Sequence, residues 1–213
     1  ATLPMRERVS TRPVTMTTST PDTEKQRCPW PNDELMIKYH DEEWGVPTHD
    51  EIVLFEYLAL EAAQAGLSWR TVLHKRAEFN KEFEGFDPVR VAAYGEDVIE
   101  RMMGNPGIIR NRLKLKAMVT NAQRFLEVQQ EYGTFADYLW GFVGGSPLPR
   151  RSPLTVDMVP ATSPESDALA KDLKKRGFKF VGSTIVYAYM QSMGMVNDHV
   201  TECFRAPDNP ALG

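Results

Sequence analysis

One run of residues constrains the fold of this chain more than any other. Residues 51–66 read EIVLFEYLALEAAQAG and follow Asp50, a residue type that readily caps the N-terminus of a helix. The apolar side chains in this run are too dense for a helix that keeps one face in water. We therefore predict that residues 51–66 form a helix in the core of the fold.

Similar capping signals divide the rest of the sequence into helices. Ser68 can cap the segment that follows it, and Asp87 and Ser163 are each followed by proline, which favours the first position of a helix. A long helix is predicted over residues 108–130, and a last one from residue 198 onward. No stretch shows the sustained alternation of a strand, so we predict an all-α fold of roughly eight to ten helices.

Composition and length suggest the domain organisation. The chain has 213 residues, of which 42% are hydrophobic, and a formal net charge of −4. Residues 1–26 are rich in Thr, Ser, Pro and Arg, and we predict a disordered extension there, a helical domain over 27–206 and a tail over 207–213. Since we find neither a secretory signal nor an apolar run that could span a bilayer, we expect a cytoplasmic protein that does not bind membranes.

Both cysteines of the chain have a histidine near them in sequence. Cys28 and His40 lie near the start of the predicted domain, and His199 and Cys203 lie four residues apart near its end. On a helix, that spacing would place both side chains on one face. Two cysteines and two histidines match the closed tetrahedral set of a structural zinc site. The spacing alone leaves open the alternative that all four are ordinary core residues.

Residues 165–194 have the pattern of a helix-hairpin-helix. Gly177 ends one predicted helix and Gly182 opens the next, and exposed backbone N–H groups in such a turn can bind a phosphate. Two basic clusters support DNA binding, which they would strengthen regardless of base sequence, although charged runs also occur on ordinary solvated helices. The first cluster comprises Lys171, Lys174, Lys175, Arg176 and Lys179, and the second comprises Arg110, Arg112, Lys114 and Lys116.

Glu61 lies on an apolar face of the predicted core helix, beside Leu54, Tyr57 and Leu58. A carboxylate there loses solvation free energy unless a hydrogen-bond donor or a positive charge meets it. Glu61 is therefore a candidate site residue, with a paired structural glutamate as the alternative. An acid surrounded by flat aromatic rings would suit a flipped nucleobase. The sequence offers four such rings, at Trp30, Tyr39, Trp44 and Trp69.

In order along the chain, these segments resemble the DNA-3-methyladenine glycosylase I (Tag) family. The resemblance runs from Arg27 to Phe204 and is carried by RCPW, KYHDEEWGVP, LEAAQAGLSW, FDPVRVAAY, GIIRNRLKLKA, SDALAKDLKKRGFKFVGSTIVYAYMQ and GMVNDHVTECF. It implies a helix-hairpin-helix DNA glycosylase fold in which a structural zinc site joins the two ends of the domain. It also implies a monofunctional hydrolase of N-glycosyl bonds, which removes 3-methyladenine from alkylated double-stranded DNA and leaves an abasic site. We expect a monomer.

The resemblance also assigns roles to single residues. It makes Glu61 the acid that recognises the base and acts in catalysis. The other substrate-binding residues that it implies are Tyr39 and Trp69, with Trp44 and Trp30 in the pocket wall. The zinc ligands that it implies are Cys28, His40, His199 and Cys203. The residues expected to contact DNA are Gly177, Lys179, Gly182 and Arg176.

Two residues and two other functions stay open at this point. Asp198 stands where other helix-hairpin-helix glycosylases carry an aspartate, but it adjoins His199 and could instead cap a helix. Leu67 could insert as a wedge into the gap left by a flipped base. The main alternative function is a non-catalytic, zinc-stabilised helix-hairpin-helix module that binds DNA. A further alternative is a hydrolase whose metal is catalytic.

Overall fold

The structure is a computed structural model that describes residues 25–152 and 154–209. Within these residues it contains nine α-helices, two short 3₁₀ turns and no strand, which confirms the all-α prediction. Residues 1–24 and 210–213 hold most of the predicted extension and part of the predicted tail, and they lie outside the described residues. The helices are α1 (Glu34–Glu42), α2 (Glu51–Gln64), α3 (Trp69–Glu82), α4 (Pro88–Ala92), α5 (Glu96–Met103), α6 (Arg112–Tyr132), α7 (Phe135–Gly141), α8 (Pro164–Lys175) and α9 (Ser183–Ser192).

Helix α2 forms the centre of the fold, as its sequence predicts. Ten consecutive residues of α2, from Leu54 to Ala63, are buried, and the helix packs against α3, α6, α7 and α9. Glu51, in its first turn, accepts hydrogen bonds from the backbone N–H groups of Phe135 and Ala136 and so joins α2 to the start of α7. Burial on all sides explains why this helix has no polar face.

The predicted capping residues begin their helices as expected. The side chains of Asp50 and Ser68 accept backbone hydrogen bonds at the starts of α2 and α3, and Ser163 forms a reciprocal capping box with Ser166 at the start of α8. Each such cap contributes about 1 kcal/mol to the stability of its helix. Helix α6 begins later than predicted, after its cap Asn111.

The predicted helix from residue 198 onward is wrong, since residues 198–209 form turns. The N–H group of Val200 donates to Cys28 Sγ at 3.4 Å, and the N–H group of Thr201 donates to the carbonyl oxygen of Leu154 at 2.9 Å. Because these donors bond to distant parts of the chain, they are not available for the hydrogen bonds of a helix. None of the helices in the described ranges is long and apolar enough to cross a membrane.

Gly194 allows the chain after α9 to pass very close to the segment that follows α1. It has φ +68°, and a Cβ atom at this position would lie 2.3 Å from the backbone nitrogen of Pro47. The neighbouring hydrogen bonds, from Gly45 N–H to the carbonyl of Gln191 and from Thr48 N–H to that of Met193, fix the same junction.

We expect Gly194→Ala to lower the free energy of unfolding by about 3 kcal/mol or more, because it adds steric overlap to backbone strain. Gly133→Ala is the matched control, since Gly133 also has positive φ (+90°) but open space around its Cα. That variant should cost about 1 kcal/mol through strain alone. Urea denaturation measures both values. Equal losses in the two variants would contradict the close approach as the cause.

Candidate functional site

The four predicted metal ligands lie together. Their ligand atoms are all within 4.8 Å of one another, and all four residues are buried. His40 Nε2 lies 3.2 Å from His199 Nδ1 and 3.4 Å from Cys203 Sγ, and His199 Nδ1 lies 3.7 Å from Cys28 Sγ. This cluster could hold a metal ion, and it joins the start of the described chain to its end.

Neighbouring groups orient each member of the cluster. His40 Nδ1 is bonded to Asp41 at 2.8 Å, and His199 Nε2 to the carbonyl oxygen of Trp44 at 3.0 Å, which leaves the other ring nitrogens facing the cluster. Outer partners of this kind fix the ring orientation of metal-binding histidines. Hydrogen bonds from the Cys28 thiol and then from the two histidines hold the pKa of the Cys203 thiol well below its ordinary value, which favours the thiolate that binds metals.

A cavity of about 480 Å³ lies directly beside this cluster. This volume falls within the range of small-molecule sites. Cys28 belongs to both the cluster and the cavity wall. The cavity brings together the predicted acid and all four predicted aromatic residues, namely Glu61, Trp30, Tyr39, Trp44 and Trp69.

Glu61 is buried in the cavity wall with only half of its carboxylate satisfied. Its side chain is 3% exposed, and Oε1 accepts a hydrogen bond from Ser192 Oγ at 2.9 Å. Oε2 has no hydrogen-bond partner among the described residues. Burial raises the pKa of Glu61 to about 8, and the hydrogen bond from Ser192 opposes part of that rise. Glu61 is therefore paired through one oxygen, with Ser192, and unpaired through the other among the described residues.

The aromatic residues form two connected walls. The rings of Tyr39 and Trp69 are tilted by 46° with their centroids 5.2 Å apart, and both residues line the cavity with Glu61. Trp30 and Trp44 pack edge to face at 5.1 Å and also contact the metal-cluster histidines, Trp30 against His40 and Trp44 against His199. The second wall therefore depends on the same contacts that hold the cluster.

Trp69 contributes a second unsatisfied group to the cavity wall. Its indole Nε1 is buried and has no acceptor among the described residues. The wall thus contains one unsatisfied acceptor, on Glu61, and one unsatisfied donor, on Trp69. Because buried polar groups are normally hydrogen-bonded, this pair indicates that a polar ligand completes the site.

Several wall residues were not singled out by the sequence. Val156 and Val159 come from the segment between α7 and α8, and Ser192 and Gln191 come from the end of α9. A proline- and serine-rich connector carries no signal for pocket lining. The helical period of α9 could have placed Ser192 on the face of α9 that meets α2, but only with the packing of these helices already known.

Asp198 also lines the cavity and does not cap a helix, since no helix begins there within residues 198–209. Its Oδ2 accepts hydrogen bonds from Tyr187 Oη at 2.6 Å and Gln191 Nε2 at 2.9 Å. Leu67, the candidate wedge, is 41% exposed in the turn between α2 and α3. Buried Lys114 supports that turn by donating from Nζ to the carbonyl oxygens of Ala63 and Ala65.

The segment between α8 and α9 is a tight turn bounded by Gly177 (φ +92°) and Gly182, the N-cap residue of α9. Buried Asn121 of α6 holds the turn by bonding with both amide atoms to the backbone of Lys179, at 2.8 and 3.0 Å. The side chain of Lys179 is exposed. By contrast, the guanidinium of Arg176 is paired with Glu131 and Asp172.

The second predicted basic cluster is largely neutralised. Arg112 pairs with Glu100, and Lys116 pairs with Glu96 at 2.6 Å. Lys114 is buried and bonded to backbone carbonyls, so it cannot belong to a solvated basic surface. Arg110 is the member of this cluster that stays exposed without an ion pair among the described residues.

Comparisons with known proteins identify the relatives of this chain. The sequence matches the methyladenine glycosylase family over residues 30–206. DNA-3-methyladenine glycosylase 1 of Escherichia coli (strain K12) is 49% identical over 185 residues, covering 86% of this chain and 98% of the relative. DNA-3-methyladenine glycosylase of Haemophilus influenzae is 46% identical over 178 residues, covering 83% of this chain and 96% of the relative.

A solved structure shares the fold as well. A crystal structure of 3-methyladenine DNA glycosylase I superposes with a TM-score of 0.83 at 52% identity, covering 85% of this chain and all of that chain (100%). These relatives are all DNA glycosylases by name. The chain belongs to the methyladenine glycosylase family.

Proposed function

We propose that this protein hydrolyses the N-glycosidic bond of 3-methyladenine in alkylated DNA and leaves an abasic site without cutting the strand. The observation that carries the proposal is Oε2 of Glu61, a buried carboxylate oxygen without a partner in the described chain, on a residue that lines an aromatic cavity. A ligand that donates a hydrogen bond to this oxygen relieves the cost of its burial. The exocyclic amine of the methylated base is such a donor.

The charge of the damaged base explains how little acid catalysis is needed. Methylation at N3 gives the base a positive charge within the nucleotide, so its bond to deoxyribose is weak and it departs as a neutral molecule. The protein must therefore extract the base from the stack, hold it, and favour an oxocarbenium-like transition state. A strong general acid is not required for this leaving group.

Charge and shape together select the damaged base. Glu61 interacts more favourably with a cationic base than with neutral adenine, because the charge strengthens the hydrogen bond. We assign Tyr39 and Trp69 to contact the faces or edges of the ring, where stacking contributes about 1–3 kcal/mol per base. Trp30 and Trp44 complete the wall. Water then attacks the sugar.

The composition of the wall supports a monofunctional enzyme. The cavity lining in the described chain contains no lysine that could form a Schiff base with the sugar. We propose residues 27–206 as the glycosylase domain and expect a monomer.

Release of 3-methyladenine from alkylated duplex DNA tests the proposed function. We expect Glu61→Gln to lower kcat/KM by roughly 10–100-fold, because the amide has the size of the acid but cannot carry the charge that meets the cationic base. Chromatography of the released base under single-turnover and steady-state conditions provides the measurement.

Glu56→Gln is the matched control, since Glu56 is also buried on α2 but pairs with Arg76 and does not line the cavity. It should lower stability and keep the activity of the folded fraction. A folded, metal-loaded protein that binds DNA and releases no base would instead support the non-catalytic DNA-binding module.

The four-residue cluster fits a structural zinc ion. In a tetrahedral site with Zn–N bonds of about 2.0–2.1 Å and Zn–S bonds of about 2.3 Å, the donor atoms lie about 3.3–3.8 Å apart. The separations of 3.2 Å between the two nitrogens and 3.4, 3.5 and 3.7 Å between sulfur and nitrogen agree with this geometry. With Cys28, His40, His199 and Cys203 as ligands, zinc would have no open position for water and would act by joining the two ends of the domain.

We expect Cys203→Ala to lose the bound zinc and to melt more than about 10 °C below the wild type, because metal binding contributes directly to folding. A chelator should lower the melting temperature of the wild type and leave that of Cys203→Ala unchanged. Asp41→Asn keeps all four ligands and should lower zinc affinity about 10–100-fold by loosening His40. Metal analysis and thermal melts check these values, and a wild-type protein purified without stoichiometric zinc contradicts the assignment.

We propose that the turn between α8 and α9 belongs to a helix-hairpin-helix that binds a DNA phosphate. Helix α9 has Gly182 as its N-cap residue and no side-chain cap, so its first N–H groups are available to an anion. Lys179 adds an exposed charge beside Gly177. Arg176 was predicted to contact DNA as well, but its guanidinium already has carboxylate partners, so we expect its contribution to be smaller.

Lys179→Ala and Arg176→Ala should therefore behave differently. Loss of Lys179 should weaken binding to duplex DNA and reduce the slope of log affinity against log salt by about 1, because one fewer counterion is released. Loss of Arg176 should mainly lower the melting temperature. Fluorescence anisotropy with a labelled duplex at several salt concentrations distinguishes them. Identical slopes for Lys179→Ala and the wild type would remove this lysine from the DNA interface.

A further inference from the structure

Ser192, the last residue of α9, connects two residues of the base pocket. Its Oγ lies 2.9 Å from Tyr39 Oη and 2.9 Å from Glu61 Oε1. It also lies 3.1 Å from the carbonyl oxygen of Ala188, one turn back in the same helix. Ser192 is 4% exposed and lines the cavity.

The serine hydroxyl has a single hydrogen for two acceptors. The hydroxyl of Tyr39 can donate its hydrogen to Ser192 Oγ. The hydrogen of Ser192 can then point either to Glu61 Oε1 or to the carbonyl oxygen of Ala188. A charged carboxylate is the stronger acceptor, whereas a protonated one competes poorly.

We propose that Ser192 is a positioning residue that turns its hydroxyl between Ala188 and Glu61 according to the charge of Glu61, and so matches the charge of the pocket to that of the base. This inference rests on the proposed function. When Glu61 is a neutral carboxyl group, its oxygen is the weaker acceptor and Ser192 donates to Ala188. When the cationic base enters, Glu61 is an anion and Ser192 donates to Oε1, while Oε2 accepts from the base.

The groups that line the pocket around Glu61 carry no positive charge, so the substrate has to supply it. Tyr39 faces it from α1, Trp69 from α3, and Ser192 and Tyr189 from α9, and none of these carries a cation. Asp198, the other acid of the cavity wall, is bonded to Tyr187 and Gln191. The cavity lining in the described part of the chain includes neither lysine nor arginine.

The proton balance closes over one turnover. Glu61 gives its proton to solvent when the cationic base binds. In hydrolysis, water oxygen bonds to C1′ of the sugar, the electron pair of the C–N bond passes to the base, and the base leaves neutral while water loses one proton. Glu61 takes up one proton as its partner loses its charge, and Ser192 returns to Ala188. The neutral base then dissociates from the pocket, where Glu61 is again a neutral carboxyl group.

This device predicts how kcat/KM depends on pH. The anion of Glu61 exists above its pKa of about 8, so kcat/KM should rise with pH and be lost as the pH falls through that value. Ser192→Ala removes a hydrogen bond that favours the anion and should move the midpoint up by about one pH unit. At pH 7 kcat/KM should then fall about tenfold, and the two proteins should converge at high pH. Ser192→Thr keeps the hydroxyl and should keep the wild-type midpoint.

Infrared titration of the zinc-loaded protein without DNA measures the same midpoint independently of activity. The carboxyl band of Glu61 is identified by its loss in Glu61→Gln. We expect this band to titrate about one pH unit higher in Ser192→Ala than in the wild type. If Ser192→Ala is unstable because Tyr39 loses its partner, the double variant Tyr39→Phe/Ser192→Ala removes that unsatisfied hydroxyl and should show the same upward shift.

An unchanged band midpoint in Ser192→Ala would overturn the inference, as would a loss of kcat/KM that is the same at every pH. A different result is a shifted midpoint in Ser192→Ala together with a wild-type protein that releases no 3-methyladenine. That result would support the role of Ser192 and contradict the proposed function. The two failures are therefore distinguishable.

Discussion

The burial of one carboxylate determines what this site can bind. Glu61 stands on the central helix, where the packing that stabilises the fold also removes water from its side chain. A charge in such a place is unfavourable unless something compensates it, and among the described residues only the hydroxyl of Ser192 bonds to it. The remaining compensation has to come from the ligand. A cationic base supplies more of it than neutral adenine does, because the charge strengthens the hydrogen bond, so the core packing that stabilises the fold also contributes to the proposed selectivity.

The ligand cluster makes this pocket possible at its open side. Trp30 and Trp44 would be loosely held if each depended on its own short segment, but both rings pack against the histidines of the cluster. Because the cluster draws the start and end of the domain together, it holds the aromatic wall formed by Trp30 and Trp44. A metal bound there would take no part in the reaction itself, but it would lie beside the cavity.

Local patterns predicted the elements, and long-range contacts decided the rest. The buried character of α2, the caps Asp50 and Ser68, and the grouping of two cysteines with two histidines are all readable from the sequence, because each rests on residue type and spacing. The path of residues 198–209 is not, because its backbone donors bond to Cys28 and Leu154, far away in sequence. Likewise, the charges of RNRLKLK indicate a basic surface only until their partners Glu96 and Glu100 are known.

Helix α9 connects the proposed phosphate-binding turn to the proposed base pocket. Its first residue follows Gly182, where we place a DNA phosphate, and its last residue is Ser192, which contacts Glu61. Ten residues at about 1.5 Å per residue make a rigid spacer of about 15 Å. Asn121 fixes the turn at one end, and the close approach at Gly194 fixes the other. A phosphate bound at the start of α9, as proposed, would therefore lie about 15 Å along the helix from the residue that contacts Glu61.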